Sequence, residues 1–274
     1  MNADNNTVYR AERFLLGKKG DPALCEDVIV ECAHFCAVID GVTSKSERLY
    51  NGKAGGRYAA ELVASVIESF DGDETAEQAF CRIDRALAAA CPPDAVPPEA
   101  RTQACAVIYS KRRREVWNYG DCQLMINEQR ITHSKVIDDV LSALRAFVIS
   151  AYLAQGGDPA ALAAHDVGRE AILPYAKHQS LFANQKGYFG YPVLDGSGIC
   201  TEYIKIYPVA AGDHVVLASD GYPKLFSTLA ESEAHLQTVL KTDPLAIGAN
   251  MQTKMPAPGA CSFDDRAYLS FFAE

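Results

Sequence analysis

Histidine is scarce. The six present never fall at i, i+3 or i+4, which leaves little for zinc chemistry. No Cys-x-x-Cys occurs, and the nine cysteines are scattered, some of them inside apolar runs (Cys36, Cys105), so they read as reduced packing residues and not as a disulfide or zinc framework. There is no run of 18 apolar residues to cross a membrane as a helix, and the opening MNADNNTVYR lacks the basic-then-apolar layout of a signal peptide. A cytoplasmic protein is expected. Positive charge is also short: Lys and Arg number 26 against 35 Asp and Glu, a formal charge of −9. This argues against nucleic acid or an anionic membrane as the main partner. NGKAGG (51–56) contains Gly-Lys but no complete phosphate-binding loop, and Gly55-Gly56 reads as a place where a helix approaches a sheet. The Asp-x-Asp-x-Thr of an aspartyl-phosphate enzyme is missing around Asp220.

What is present is enough to build a core: 274 residues, 49% of them hydrophobic, read as one domain, 1–274. Residues 28–39 form two β-rich runs divided at Glu31 to His34 and ending at Asp40-Gly41. Helical spacing follows over 53–70 and again over 74–91, where Pro92-Pro93 stops it. Strands are expected at 103–110, 114–119 and 122–127, with Lys111 to Arg114 as a solvated hairpin tip. From Ser134 the period becomes helical, with Val136, Val140, Leu144, Phe147, Val148 and Ala151 on one stripe, so 134–186 reads as a helical insertion. Strands return near 187–193, 201–207 and 213–218, helices lie within 223–254, and a last strand covers 266–272.

Acidic residues collect at strand ends: Asp27, Asp40 in VIDG, Asp121 in NYGD, Asp220 in ASDG, and Asp264. Any one of them is an ordinary turn residue. Brought together by adjacent strands, they would repel one another unless cations neutralise them. An all-oxygen set suits Mg²⁺ or Mn²⁺. Cys25 and Cys122 flank these acids without a neighbouring base, so they read as packing residues and not as nucleophiles.

CED (25–27), CAVIDGVTS (36–44), VWNYGDCQL (116–124), VVLASDGY (215–222) and SFDDRAYLS (262–270) stand in the order and approximate spacing of the metal-dependent PP2C-type serine/threonine phosphatases. The sequence resembles a divergent, bacterial-like branch of that family. The resemblance implies an α+β fold, an α-β-β-α sandwich of two antiparallel sheets flanked by helix pairs, with a binuclear Mg²⁺ or Mn²⁺ centre at one edge. It implies metal ligands at Glu26 and Asp27, Asp40 with the Gly41 carbonyl, Asp220 and Asp264, and a third, weaker ion at Asp121. Asp40, Asp220 and Asp264 would then carry hydrolysis of phosphoserine or phosphothreonine by a metal-activated water, on a phosphorylated protein substrate in a signalling pathway.

Two departures matter. The arginine that binds phosphate in the family, four residues before the E of the E-D pair, is here Pro22, which leaves Lys18, Lys19, Lys45, Arg48 and Arg57 as candidate substitutes, Lys19 foremost. DGVTS replaces the family's DGHGG or DGMGG, so that Thr43 or Ser44 either binds a phosphate oxygen or caps a helix. The helical insertion stands where the family's flap would flank the substrate. Two other readings remain: a catalytically weak scaffold that binds a phosphoprotein or partner, and a phosphatase for a small phosphorylated metabolite.

Overall fold

The computed structural model describes residues 11–44 and 46–274. Two five-stranded sheets stack face to face, and every strand pairing within them is antiparallel. One sheet has the order β2 (Val28–Glu31), β3 (Phe35–Gly41), β4 (Ala104–Ser110), β5 (Glu115–Tyr119), β8 (Lys205–Pro208). The other runs β1 (Glu12–Leu16), β10 (Arg266–Phe272), β9 (His214–Ala218), β6 (Gln123–Ile126), β7 (Gln129–Ile131). Val38, Val107, Val116, Leu124, Val215, Leu217 and Leu269 fill the space between the sheets. They alternate with residues facing outward, as strands of period two require.

Helices α1 (Gly55–Glu68) and α2 (Ala76–Ala90) cover the outer face of the first sheet through Ala59, Val63, Ile67, Phe80, Ile83 and Leu87. A capping box between Thr75 and Gln78 starts α2, satisfying amides that the helix itself leaves unbonded. Tyr222, Leu225 and the start of α5 (Leu229–Thr242) cover the second sheet over Met125, Val216 and Tyr268. α3 (Val136–Ala154) and α4 (Val167–His178) form the insertion and pack on one another through Leu141, Ile172 and Ala176.

Three expectations are corrected. Residues 187–193 form no strand; Gly187, Gly190 and Pro192 interrupt the run, and only an isolated bridge joins Tyr191 to Ala183. In 223–254 the only α-helix is α5, with 243–254 irregular. The apolar stripe read along α3 is not its buried face. Val140, Leu144 and Phe147 are exposed by 51, 39 and 68%, and α3 instead buries Leu141, Ser142, Arg145, Ala146 and Ile149. A helix apolar on most sides has no unique stripe, and here the partners of Arg145 decide which side turns inward.

Candidate metal centre

Register brings the acids to one end of the sandwich. Asp40 stands one residue before the end of β3, opposite Cys105 of β4. Two residues beyond the Ala106–Tyr119 pair, the chain leaves the first sheet and enters the second, where Gln123 pairs with Ala218. Asp121 therefore sits on the crossing itself, and Asp220 emerges beside it from the end of β9. Gly120 makes the crossing possible: its φ is +123°, and a Cβ there would lie 2.3 Å from that of Cys105. Gly41 and Gly56 do the same for the start of α1, since a Cβ on Gly56 would lie 2.6 Å from the Val42 carbonyl oxygen. The Gly-Gly pair thus admits the helix to the strand end, as its sequence suggests.

Asp264 arrives from the other side. The last pair of β1 and β10 is Leu16 with Arg266, and two more steps of antiparallel register bring residue 18 opposite residue 264. The Lys18 ammonium is 2.7 Å from Asp264 Oδ1, and that of Lys254 is 2.6 Å from Oδ2. Burial alone would raise the Asp264 pKa, but the two ammonium groups outweigh it and hold it at about 2. The next residue, Asp265, ties the segments together by accepting the backbone N–H groups of Lys18 and Glu26 at 2.8 and 2.7 Å.

Asp40, Gly41, Asp121, Asp220 and Asp264 all line one cleft of about 710 Å³, whose other wall is the insertion, with Asp139, Ser142, Arg169 and Lys177. Asp40 and Asp220 are the acids of this cleft floor that have no ion pair among the described residues. Desolvation, then repulsion from their acidic neighbours, raises both pKa values well above the usual carboxylate range. The Asp220 backbone N–H reaches toward Asp40 Oδ2 at 3.4 Å. Behind them lie two buried oxygens without a hydrogen-bond partner, Oε1 of Glu26 and Oδ2 of Asp27. Glu26 uses its other oxygen to accept from the Thr43 hydroxyl at 2.8 Å. Burial raises the pKa of both acids.

Among the described residues no three His, Cys, Asp or Glu side chains are already closed around one point, because Asp264 and Asp121 are turned to lysines. The donor set nevertheless fits a hard divalent cation. It is all oxygen, and it contains a repelling pair of carboxylates with unpartnered buried oxygens behind it. Asp40, Asp220 and the Gly41 carbonyl could hold such an ion, with Glu26 and Asp27 as outer support. Asp264 could join once a lysine swings away.

Of the candidate phosphate cations, Lys18 is at the cleft. Lys19 is exposed, Arg48 lies over the Tyr50 ring, and Arg57 donates to the Cys25 carbonyl and to Glu61. Lys45 lies outside the described residues. Pro22 belongs to a short 3₁₀ turn. Lys254, which the sequence did not single out, occupies the cleft instead. All nine cysteines are free. Burial pushes the Cys25 thiol up to about 12 and raises Cys122 well above the usual thiol range, so neither is a thiolate nucleophile at neutral pH.

No curated protein matches the sequence. Among solved structures, the chain is similar to the catalytic domain of the serine/threonine phosphatase PstP in complex with two manganese ions, at 16% identity over 97% of this chain and 98% of that one, with a TM-score of 0.45. It is also similar to RsbX in complex with magnesium, at 11% identity over 96% and 98%, TM-score 0.45. A further likeness is to the serine/threonine phosphatase Stp1 from Staphylococcus aureus, at 14% identity over 98% and 96%, TM-score 0.48. The protein phosphatase 2C family model matches residues 21–246, and the chain belongs to that family.

Proposed function

We propose that this protein hydrolyses phosphoserine or phosphothreonine in proteins, using Mg²⁺ or Mn²⁺. The observation that carries the reading is the Asp40–Asp220 pair, two repelling carboxylates with no lysine of their own among the described residues, in a cleft where Asp121 has one and Asp264 has two. Ions bound there would supply a water of lowered pKa and neutralise charge on the phosphoryl group. The chain's own residues do the rest. Asp40 and Asp220 would hold the ions at the junction of the sheets, and Asp265 holds the Lys18 and Glu26 segments in place. Lys18 and Lys254 share one carboxylate, so either can turn to a phosphoryl oxygen while the other keeps Asp264 neutralised. That arrangement supplies the positive charge that an arginine at position 22 would have given.

The ammonium groups on Asp264 and Asp121 favour one alternative: a weakly catalytic scaffold in which lysines have taken over from metals. Mn²⁺-dependent release of phosphate from a phosphothreonine peptide by the purified protein, abolished by a chelator, is the expected result. Mn²⁺ binding without hydrolysis would select the scaffold, and the same assay with small phosphate monoesters separates the protein substrate from a metabolite.

A further inference from the structure

The start of the insertion places a cation inside the acidic cleft. Lys135, the residue preceding α3, extends its ammonium to 2.6 Å from Asp121 Oδ2, and Asp138 Oδ2 stands 4.0 Å away on the other side. The lysine side chain is only 13% exposed. Its ammonium also lies 5.2 Å from the centre of the Tyr191 ring, a favourable place for a cation. Tyr191 is held in turn by the far end of the insertion, since its carbonyl accepts the Asn184 N–H at 2.8 Å. Both ends of the insertion thus build the pocket that fixes this lysine.

The position matters because a point between two carboxylates at the mouth of an acidic cleft is where a divalent ion would otherwise collect. Lys135 differs from the other cleft lysines. Lys18 and Lys254 double up on Asp264, so losing one still leaves that acid paired. Asp121 has Lys135 as its sole ion-pair partner among the described residues, and releasing it would leave a poorly solvated carboxylate uncompensated.

We propose that Lys135 is the resident cation of the Asp121–Asp138 site, excluding a divalent ion there and confining metal binding to the Asp40–Asp220 side of the cleft. The inference rests on the proposed function only for the expectation that the cleft takes divalent ions. Its test reads differences between variants, whereas the proposed function is read from the wild type.

The experiment is Mn²⁺ stoichiometry by calorimetry and by metal analysis after equilibrium dialysis. Asp121→Asn binds as many Mn²⁺ ions as the wild type, because the removed carboxylate held a lysine. Lys135→Ala gains one Mn²⁺ per chain, Lys135→Arg gains none, and the additional ion disappears in Lys135→Ala/Asp121→Asn. Loss of an ion in Asp121→Asn alone would overturn the proposal, as would a folded Lys135→Ala that gains none. Should Lys135→Ala fail to fold, Asp121→Asn and Lys135→Arg still decide it. A wild type that binds no Mn²⁺ would count against the proposed function, and the gain in Lys135→Ala would still be read on its own.

Discussion

Asp40 lies next to the end of a buried strand, faces Asp220, and has no cation of its own among the described residues. Its charge is therefore costly unless a cation offsets it, as the proposed function requires. Asp40→Asn removes the charge but keeps the shape, so the metal-free variant should unfold at a higher temperature than the metal-free wild type at pH 7. The pH dependence has a definite sign. A carboxylate whose folded pKa is raised destabilises the fold when ionised; that penalty is absent below its unfolded value, about 3.9, and complete above the folded one. The advantage of Asp40→Asn should accordingly grow as the pH rises above about 4 and shrink toward zero as the pH falls to it. Thermal unfolding in a chelator across this range checks it, and a variant less stable than wild type at pH 7 would show that Asp40 makes a stabilising contact instead.

At the level of elements, the insertion and the irregular segment 243–265 depend on each other. Arg145 of α3 is wholly buried. It pairs with Asp166 at 2.8 Å and donates to the carbonyls of Leu245, Ala246 and Gln252, while Arg169 of α4 donates to that of Thr253. These bonds hold the backbone just before Lys254. Arg145→Met should lose about 3 kcal/mol in denaturant titration, because it strands Asp166 and three carbonyls. Under conditions where the variant remains folded, it should raise KM for phosphopeptide in the same direction as Lys254→Met, with kcat less affected. A stability loss with unchanged KM would confine Arg145 to structural support. This coupling explains why the sequence disclosed some elements and hid others. Asp40 and Asp220 are legible because a strand followed by Asp-Gly marks its own end. Lys254 is not, since 243–254 has no period and its place is set by arginines about a hundred residues away. The run 187–193 reads as a strand because Tyr188, Phe189, Tyr191 and Val193 are residues that strands favour, yet its glycines and proline let it close the insertion around Tyr191.

For the molecule as a whole, charge is the governing quantity. The chain carries a formal −9, and strand register forces several of its acids together in one cleft. Lysines built into the fold offset part of this at Asp264 and Asp121. They leave the Asp40–Asp220 pair as the place where a soluble cation can stabilise the native state and not the unfolded one, in which the two acids are far apart. Binding that favours the folded state raises stability by RT ln(1 + [L]/Kd), about 2.7 kcal/mol at a hundredfold excess over Kd. Addition of Mn²⁺ should therefore raise the unfolding temperature of the wild type in a concentration-dependent way, and should do so far less for Asp40→Asn or Asp220→Asn. Monovalent salt at equal ionic strength separates this from general screening, which would act on all three proteins alike. Equal Mn²⁺ shifts in wild type and in both variants would place the ion elsewhere. A shift confined to the wild type ties the stability of the sandwich to the same two carboxylates that the proposed hydrolysis requires.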